Sequence, residues 1–97
     1  MTSKQRAYLK SLAMNIDSLF QIGKSGVTPE VVQAVEEAFH NRELIKLSVL
    51  KNCFDNPKEL AETIAGRTKS TVVQVIGKKI VLYKPDPKTP KIQLPKA

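Results

Sequence analysis

Apolar residues recur along the chain at two spacings, and the places where one gives way to the other mark out seven elements. From Ser3 to about Met14, Leu9, Leu12, Ala13 and then Ile16 fall near one face of a helix. Arg6 and Lys10 stand four apart on another face. The run SLFQI at 18–22 predicts a short strand, ended by Gly23-Lys24-Ser25-Gly26. A second helix starts with Thr28 as N-cap and Pro29 at the first helical position, where its missing N–H costs nothing. Val31, Val32, Val35, Ala38 and Phe39 form its apolar stripe; Glu30, Glu36, Glu37 and His40 lie outside it, and Asn41 is its stop.

The alternation of ELIKLSVL at 43–50 predicts a strand with Ile45, Leu47 and Val49 on one face and Lys46 and Ser48 on the other. Asp55 or Asn56 caps a third helix, opened by Pro57 and carrying Leu60, Ala61, Ile64 and Ala65 inward. Two β runs follow, TVVQVI and KIVLY, joined through Gly77-Lys78 in a two-residue hairpin of type II′. The order α-β-α-β-α-β-β predicts a compact α/β domain, a four-stranded mixed sheet covered by helices. One domain fills residues 1–97, with no internal repeat or linker. Residues 84–97 alternate Pro and Lys and are expected to form an extended basic tail, attached loosely or folded back on the domain.

Composition narrows the function. No run approaches the roughly 20 apolar residues that span a bilayer, and MTSKQRAYLK lacks the apolar stretch of a secretory signal. The single Cys53 cannot form an internal disulfide, which fits a reducing compartment. A cytoplasmic protein is expected. Aromatics at 5% and the lack of Trp leave the core to aliphatic side chains. The net charge of +7 is unevenly placed. Residues 1–66 hold eight basic and eight acidic side chains, whereas 67–97 hold eight basic ones against Asp86 alone. Such asymmetry points to a polyanionic partner.

Catalysis is not expected. One His and one Cys leave no spare members for a metal site or a nucleophile pair. Glu36 and Glu37 lie about 100° apart around their helix and do not converge on one atom. Gly23-Lys24-Ser25 is not a nucleotide-binding P-loop, because the required earlier Gly is replaced by Ser18. No cofactor, metal or small-molecule substrate is implied. The same four residues, Gly23, Lys24, Ser25 and Gly26, form a G-x-x-G at a strand-to-helix corner. There the backbone from Lys24 to Val27 can approach a phosphate without Cβ obstruction, beside the positive end of a helix. In KH domains such a loop clamps single-stranded backbone.

With these elements in place, the chain resembles the YhbY-type proteins, the stand-alone bacterial form of the CRM domain (chloroplast RNA splicing and ribosome maturation). The resemblance runs over nearly the full length. It includes QRAYLKSLA, GKSGVTPEVV, ELIKLSVL, VVQVIGKKIVLYKP and KIQLPK. It implies a fold similar to the C-terminal domain of bacterial initiation factor three, and association with RNA and large-subunit precursors. In plants the same domain supports group II intron splicing. The family's GxxG falls on Gly23–Gly26 and its basic first helix on Lys4, Arg6 and Lys10. Its usual Tyr-Arg appears as Tyr83-Lys84, which keeps the charge but loses the bidentate fork. Lys69 stands after Thr68 where the family often has Gly, a residue suited to positive φ.

Two functions follow as expectations. In the first, a monomer binds ribosomal RNA, or a large-subunit precursor, through its phosphate backbone. The first helix and the GxxG loop act there as one continuous surface, and the lysines of the hairpin and tail (Lys78, Lys79, Lys84) as further attachments. With few aromatics and none beside the loop, base stacking is not expected to supply most of the affinity. In the second, a protein-interaction module docks through its acidic second helix and basic tail. A membrane surface is not expected, since no helix pairs a wide apolar face with a Lys-rich one.

Overall fold

Each helix begins on a capping group supplied by its own sequence. The computed structural model describes residues 1–96. Helix α1 (Ser3–Ala13) opens with a capping box: Gln5 N–H donates to Thr2 Oγ1 at 3.2 Å, and Thr2 N–H donates to Gln5 Oε1 at 3.1 Å. Helix α2 (Pro29–Asn41) starts at Thr28, whose hydroxyl accepts from Val31 N–H at 3.2 Å. Helix α3 (Pro57–Thr68) takes Asn56 as its cap, through Lys58 N–H to Oδ1 at 2.8 Å. Asp55 is thereby left for another contact. At the other end of α3, Lys69 takes the left-handed conformation itself (φ 57°, ψ 41°), and both its N–H and that of Ser70 reach the Ala65 carbonyl.

Four strands, β1 (Phe20–Ile22), β2 (Leu44–Val49), β3 (Thr71–Ile76) and β4 (Lys79–Tyr83), form one mixed sheet in the order β1-β2-β4-β3. The α2 crossover makes β1 parallel to β2, while β4 runs antiparallel to both β2 and β3. Strand β1 is shorter than the apolar run predicts, because pairing begins at Phe20 opposite Leu47. Alternation along β2 sends Ile45, Leu47 and Val49 to one face, where Ile22, Ile80 and Leu82 join them. Val35 of α2 and Leu60, Ala61 and Ile64 of α3 close that core. On the opposite face Leu44, Val73, Val81 and Tyr83 pack beneath Leu9 and Ala13 of α1. The sheet is therefore a middle layer, with α1 above and α2 and α3 below. The hairpin joins Ile76 to Lys79 across two residues, and Gly77 holds a φ of 55° that suits the glycine.

The tail is not loosely attached. Glu43, 5% exposed, sits just before β2 and holds it like a clasp. Its carboxylate accepts from the N–H groups of Asp86 (2.6 Å), Lys91 (2.7 Å) and Ile92 (2.6 Å), and its carbonyl accepts from Lys84 N–H at 2.8 Å. Ile92 and Leu94 then pack onto the α1-side core, and Gln5 Nε2 donates to the Pro95 carbonyl at 3.1 Å. Burial by itself pushes the Glu43 carboxyl up, but the three backbone N–H donors outweigh it and hold the group below its ordinary value of 4.5. The same buried charge, after burial itself, helps push the Tyr83 hydroxyl up.

A carboxyl lowered on folding stabilises the fold above its ordinary value, and that contribution is lost as pH falls through the lowered one. Hydrogen exchange should therefore find the Lys91 and Ile92 amides protected at neutral pH and released as the pH falls through that lowered value. Glu43→Gln replaces one acceptor by a donor facing an N–H group, at a cost of about 1–3 kcal/mol. It should release the tail at neutral pH, and unchanged protection there would show that the clasp is not what holds it. Lys69→Gly relieves the left-handed strain by about 1 kcal/mol, raising the melting temperature by roughly 4–8 °C. A variant that melts at or below the parent would show that no strain is stored there.

Candidate nucleic-acid interface

The four residues after β1 close on themselves: Gly26 N–H donates to the Gly23 carbonyl at 3.0 Å. This internal bond removes Gly26 from the donors expected to meet a phosphate. Gly26 is favoured by its φ of 67°; a Cβ there would also lie 2.7 Å from Asp55 Oδ2, the end of an exposed side chain that would have to turn aside. Gly23 is different. A Cβ at Gly23 would make only an ordinary contact with Leu50 at 3.7 Å, so packing does not demand a glycine there. Its bare Cα faces the Leu50 side chain. Lys24 and Ser25 stand exposed at the tip.

Two main-chain bonds decide what lies beside this loop. Leu50 N–H donates to the Ile22 carbonyl at 2.9 Å, and Val49 N–H donates to the Lys78 carbonyl at 2.7 Å. The loop after β1, the turn after β2 and the β3–β4 hairpin thus stand side by side at one end of the sheet. Lys24, Lys51 and Lys78 are exposed along that row, with Lys58 on the first turn of α3. Lys79 follows at the head of β4, and its ammonium donates to Ser48 Oγ at 2.6 Å and Ser18 Oγ at 3.5 Å. Ser48 in turn donates to Ser18 at 2.6 Å. The lysine is steered over the sheet face by these two hydroxyls.

Acidic groups limit where an anion can sit. Between the loop and α3 lies a groove of about 290 Å³, lined by Ser25, Asp55, Glu59 and Arg67 among others. Two carboxylates there disfavour phosphate, so the outer side of the loop, next to Lys24, is the favourable approach.

The other sequence candidates lie elsewhere. Arg6 does not extend the loop's surface. Its guanidinium donates to the carbonyls of Val72 (2.6 Å) and Val73 (2.8 Å), at the β3 irregularity between Val72 and Gln74. Strands β1 and β3 are the two outer strands, about 14 Å apart at three strand spacings. Arg6 and Lys24 therefore belong to opposite edges, and the expectation of one continuous surface is corrected. Lys4 is exposed on the first turn of α1, next to the Gln5 that holds the tail. Lys10 is half-buried in the last turn of that helix, where the carbonyl end of the dipole favours a cation. Lys84 follows the far end of β4, since Tyr83 pairs with Leu44 while Lys79 pairs with Ser48. That places it roughly 17 Å from the loop by strand length.

Sequence reasoning missed Lys51, because its place in the basic row follows from strand order. It also missed Phe54, 92% exposed, which comes directly before the Asp55 that backs Gly26. Among the described residues no three His, Cys, Asp or Glu side chains converge as a metal site, and no helix is long and apolar enough to cross a membrane. Cys53 is buried and His40 is exposed.

Known proteins share this arrangement over its whole length. The chain is 41% identical over 95 residues to the Bacillus subtilis protein named "Probable RNA-binding protein YqeI", covering 98% of this chain and 99% of that one. It is 34% identical over 96 residues to a Haemophilus influenzae protein named "RNA-binding protein", covering 99% and 96% respectively. The solution structure of SAV1595 from Staphylococcus aureus superposes with a TM-score of 0.83 at 49% identity, over 98% of this chain and 99% of that one. Residues 1–84 match the family described as the CRS1 / YhbY (CRM) domain. A strand–GxxG–helix corner on a four-stranded mixed sheet, a matching family description and relatives of equal length agree: this chain belongs to the CRS1 / YhbY (CRM) domain family.

Proposed function

We propose that this chain is a non-catalytic RNA-binding protein that grips ribosomal RNA by its phosphate backbone and acts, as a monomer, in maturation of the large ribosomal subunit. The observation that carries the reading is the row of exposed cations at one sheet end, Lys24, Lys51 and Lys78, set around a loop whose tip, Lys24-Ser25, is exposed. Relatives named as RNA-binding proteins support the class of partner. A row of ammonium groups holds phosphates as point charges and carries little sequence information, so position and shape of the RNA are what it reads. Lys79, pinned by two serine hydroxyls, continues the row onto the sheet face. Lys4, Lys10 and Lys84 are at most a second, separate attachment, and Arg6 serves the fold.

Affinity for large-subunit precursor RNA should fall with salt on a log–log slope of roughly −0.7 to −0.9 per phosphate held. Changing Lys24 and Ser25 together to Asp should weaken binding by at least about tenfold and flatten that slope by about one. Both side chains are exposed, so the melting temperature should stay that of the parent. Lys51→Glu should act in the same direction. Arg6→Gln should instead lower the melting temperature and leave RNA affinity alone. Parental affinity in the Lys24/Ser25 variant would remove the loop from the interface. Association with ribosomal particles that survives nuclease and depends on Glu30, Glu36 and Glu37 would favour the protein-docking reading in its place.

A further inference from the structure

We propose that Phe54 is a stacking platform for one unpaired base of the bound RNA, so that the preferred ligand carries an unstacked nucleotide at a bulge, loop or strand end. This rests on the RNA-binding reading above and goes beyond it by naming the ligand's local structure. Phe54 is 92% exposed, the most exposed of the large apolar side chains. Exposed apolar residues standing singly are ordinary on protein surfaces, so exposure alone would mean little. Position is what separates this one.

The chain on either side of the ring is held. Cys53 before it is buried, with its N–H donating to the Leu50 carbonyl at 3.0 Å. Asp55 after it backs Gly26, and Asn56 caps α3. An aromatic face therefore stands on a fixed corner rather than on a loose segment. The same corner carries Lys24 on the neighbouring loop, Lys51 three residues earlier and Lys58 four residues later. Lys51 and Lys58 flank the ring along the chain, Asp55 next to it lies against the loop that carries Lys24, and the acidic groove behind that loop disfavours phosphate there. Met14, 81% exposed, has no such setting, since it ends α1 on the other layer.

Cations that fix the sugar-phosphate chain on either side of an aromatic face leave the intervening base one favourable place, flat against the ring. Every base has a π face, so such a contact tolerates sequence but not pairing, because a paired base inside a helix already has both faces covered. The ring thus selects for an unstacked nucleotide where the lysines select only for charge.

The test compares a labelled single-stranded oligoribonucleotide with a blunt duplex of the same length, at fixed salt, by fluorescence anisotropy. Phe54→Ala should weaken single-strand binding by on the order of tenfold and leave duplex binding unchanged. Ile76→Ala removes another exposed apolar side chain at the same sheet end and should change neither. The chain contains no Trp, so Phe54→Trp supplies a single reporter whose emission should be quenched by the single strand and not by the duplex. Unchanged single-strand affinity in Phe54→Ala, equal losses in Ile76→Ala, or no selective quenching would overturn the platform while leaving RNA binding intact. A parent protein that binds neither ligand would overturn the RNA reading and the platform with it.

Discussion

Strand β2 is the constraint from which the rest follows. It is paired on both sides, parallel to β1 and antiparallel to β4, and five of its six residues are buried. Its alternation commits Ile45, Leu47 and Val49 to the layer of α2 and α3, and leaves the opposite face to α1. A one-residue slip would exchange the two sets and bring Lys46 and Ser48 into the larger core. Because β2 cannot slip, the chain leaving it at Leu50 must stand between the loop after β1 and the β3–β4 hairpin. The basic row is a consequence of register, just as the core is.

The strand's other end shows the same dependence in reverse. Glu43 precedes β2 and is held there by it, with its carboxylate facing three N–H groups of a tail that supplies no regular pairing of its own. A buried carboxylate is costly unless its oxygens are satisfied, and residues 86–92 satisfy it. Chain without regular pairing of its own is costly to order unless something anchors it. Each resolves the other's difficulty. Ile92 and Leu94 then cover apolar surface that α1 alone leaves open.

Much of this was legible beforehand. The helix starts carry their own signals, in Thr28-Pro29 and in the cap candidates and proline at 55–57, and the strands declare themselves by alternation at 45, 47 and 49. Asp55 and Asn56 stayed interchangeable as caps because both side chains offer the same acceptor; the bond from Lys58 N–H to Asn56 Oδ1 separates their roles, and Asp55 turns to the Gly26 corner. The GxxG corner was visible as a local motif. What could not be seen were relations across the fold: a carboxylate at 43 reaching 86–92, an arginine at 6 reaching 72 and 73, and a phenylalanine at 54 brought beside a loop at 23–26. Local patterns set each element, but long-range partners are chosen by sheet order. The attachment of the tail stayed open for the same reason, since Lys and Pro describe a solvated segment until an anchor 48 residues away is known.

Arg6 and Lys24 show why charge alone is a poor guide to a binding surface. Both are cations on elements that a sequence reader would assign to RNA, and at the level of composition they are equivalent. Arg6 meets two successive carbonyls at the irregularity of an outer strand, an arrangement that a planar guanidinium with several donors suits. Buried carbonyls have first claim on a nearby cation, because leaving them unsatisfied costs stability in every molecule, bound or free. Lys24 stands on a turn that satisfies its own backbone, with Gly26 closing onto Gly23, and so keeps its charge for solvent or a ligand. Charge therefore has to be weighed after the fold has taken its share: the Arg6 guanidinium is committed to backbone carbonyls, while Lys24 stands exposed on its turn.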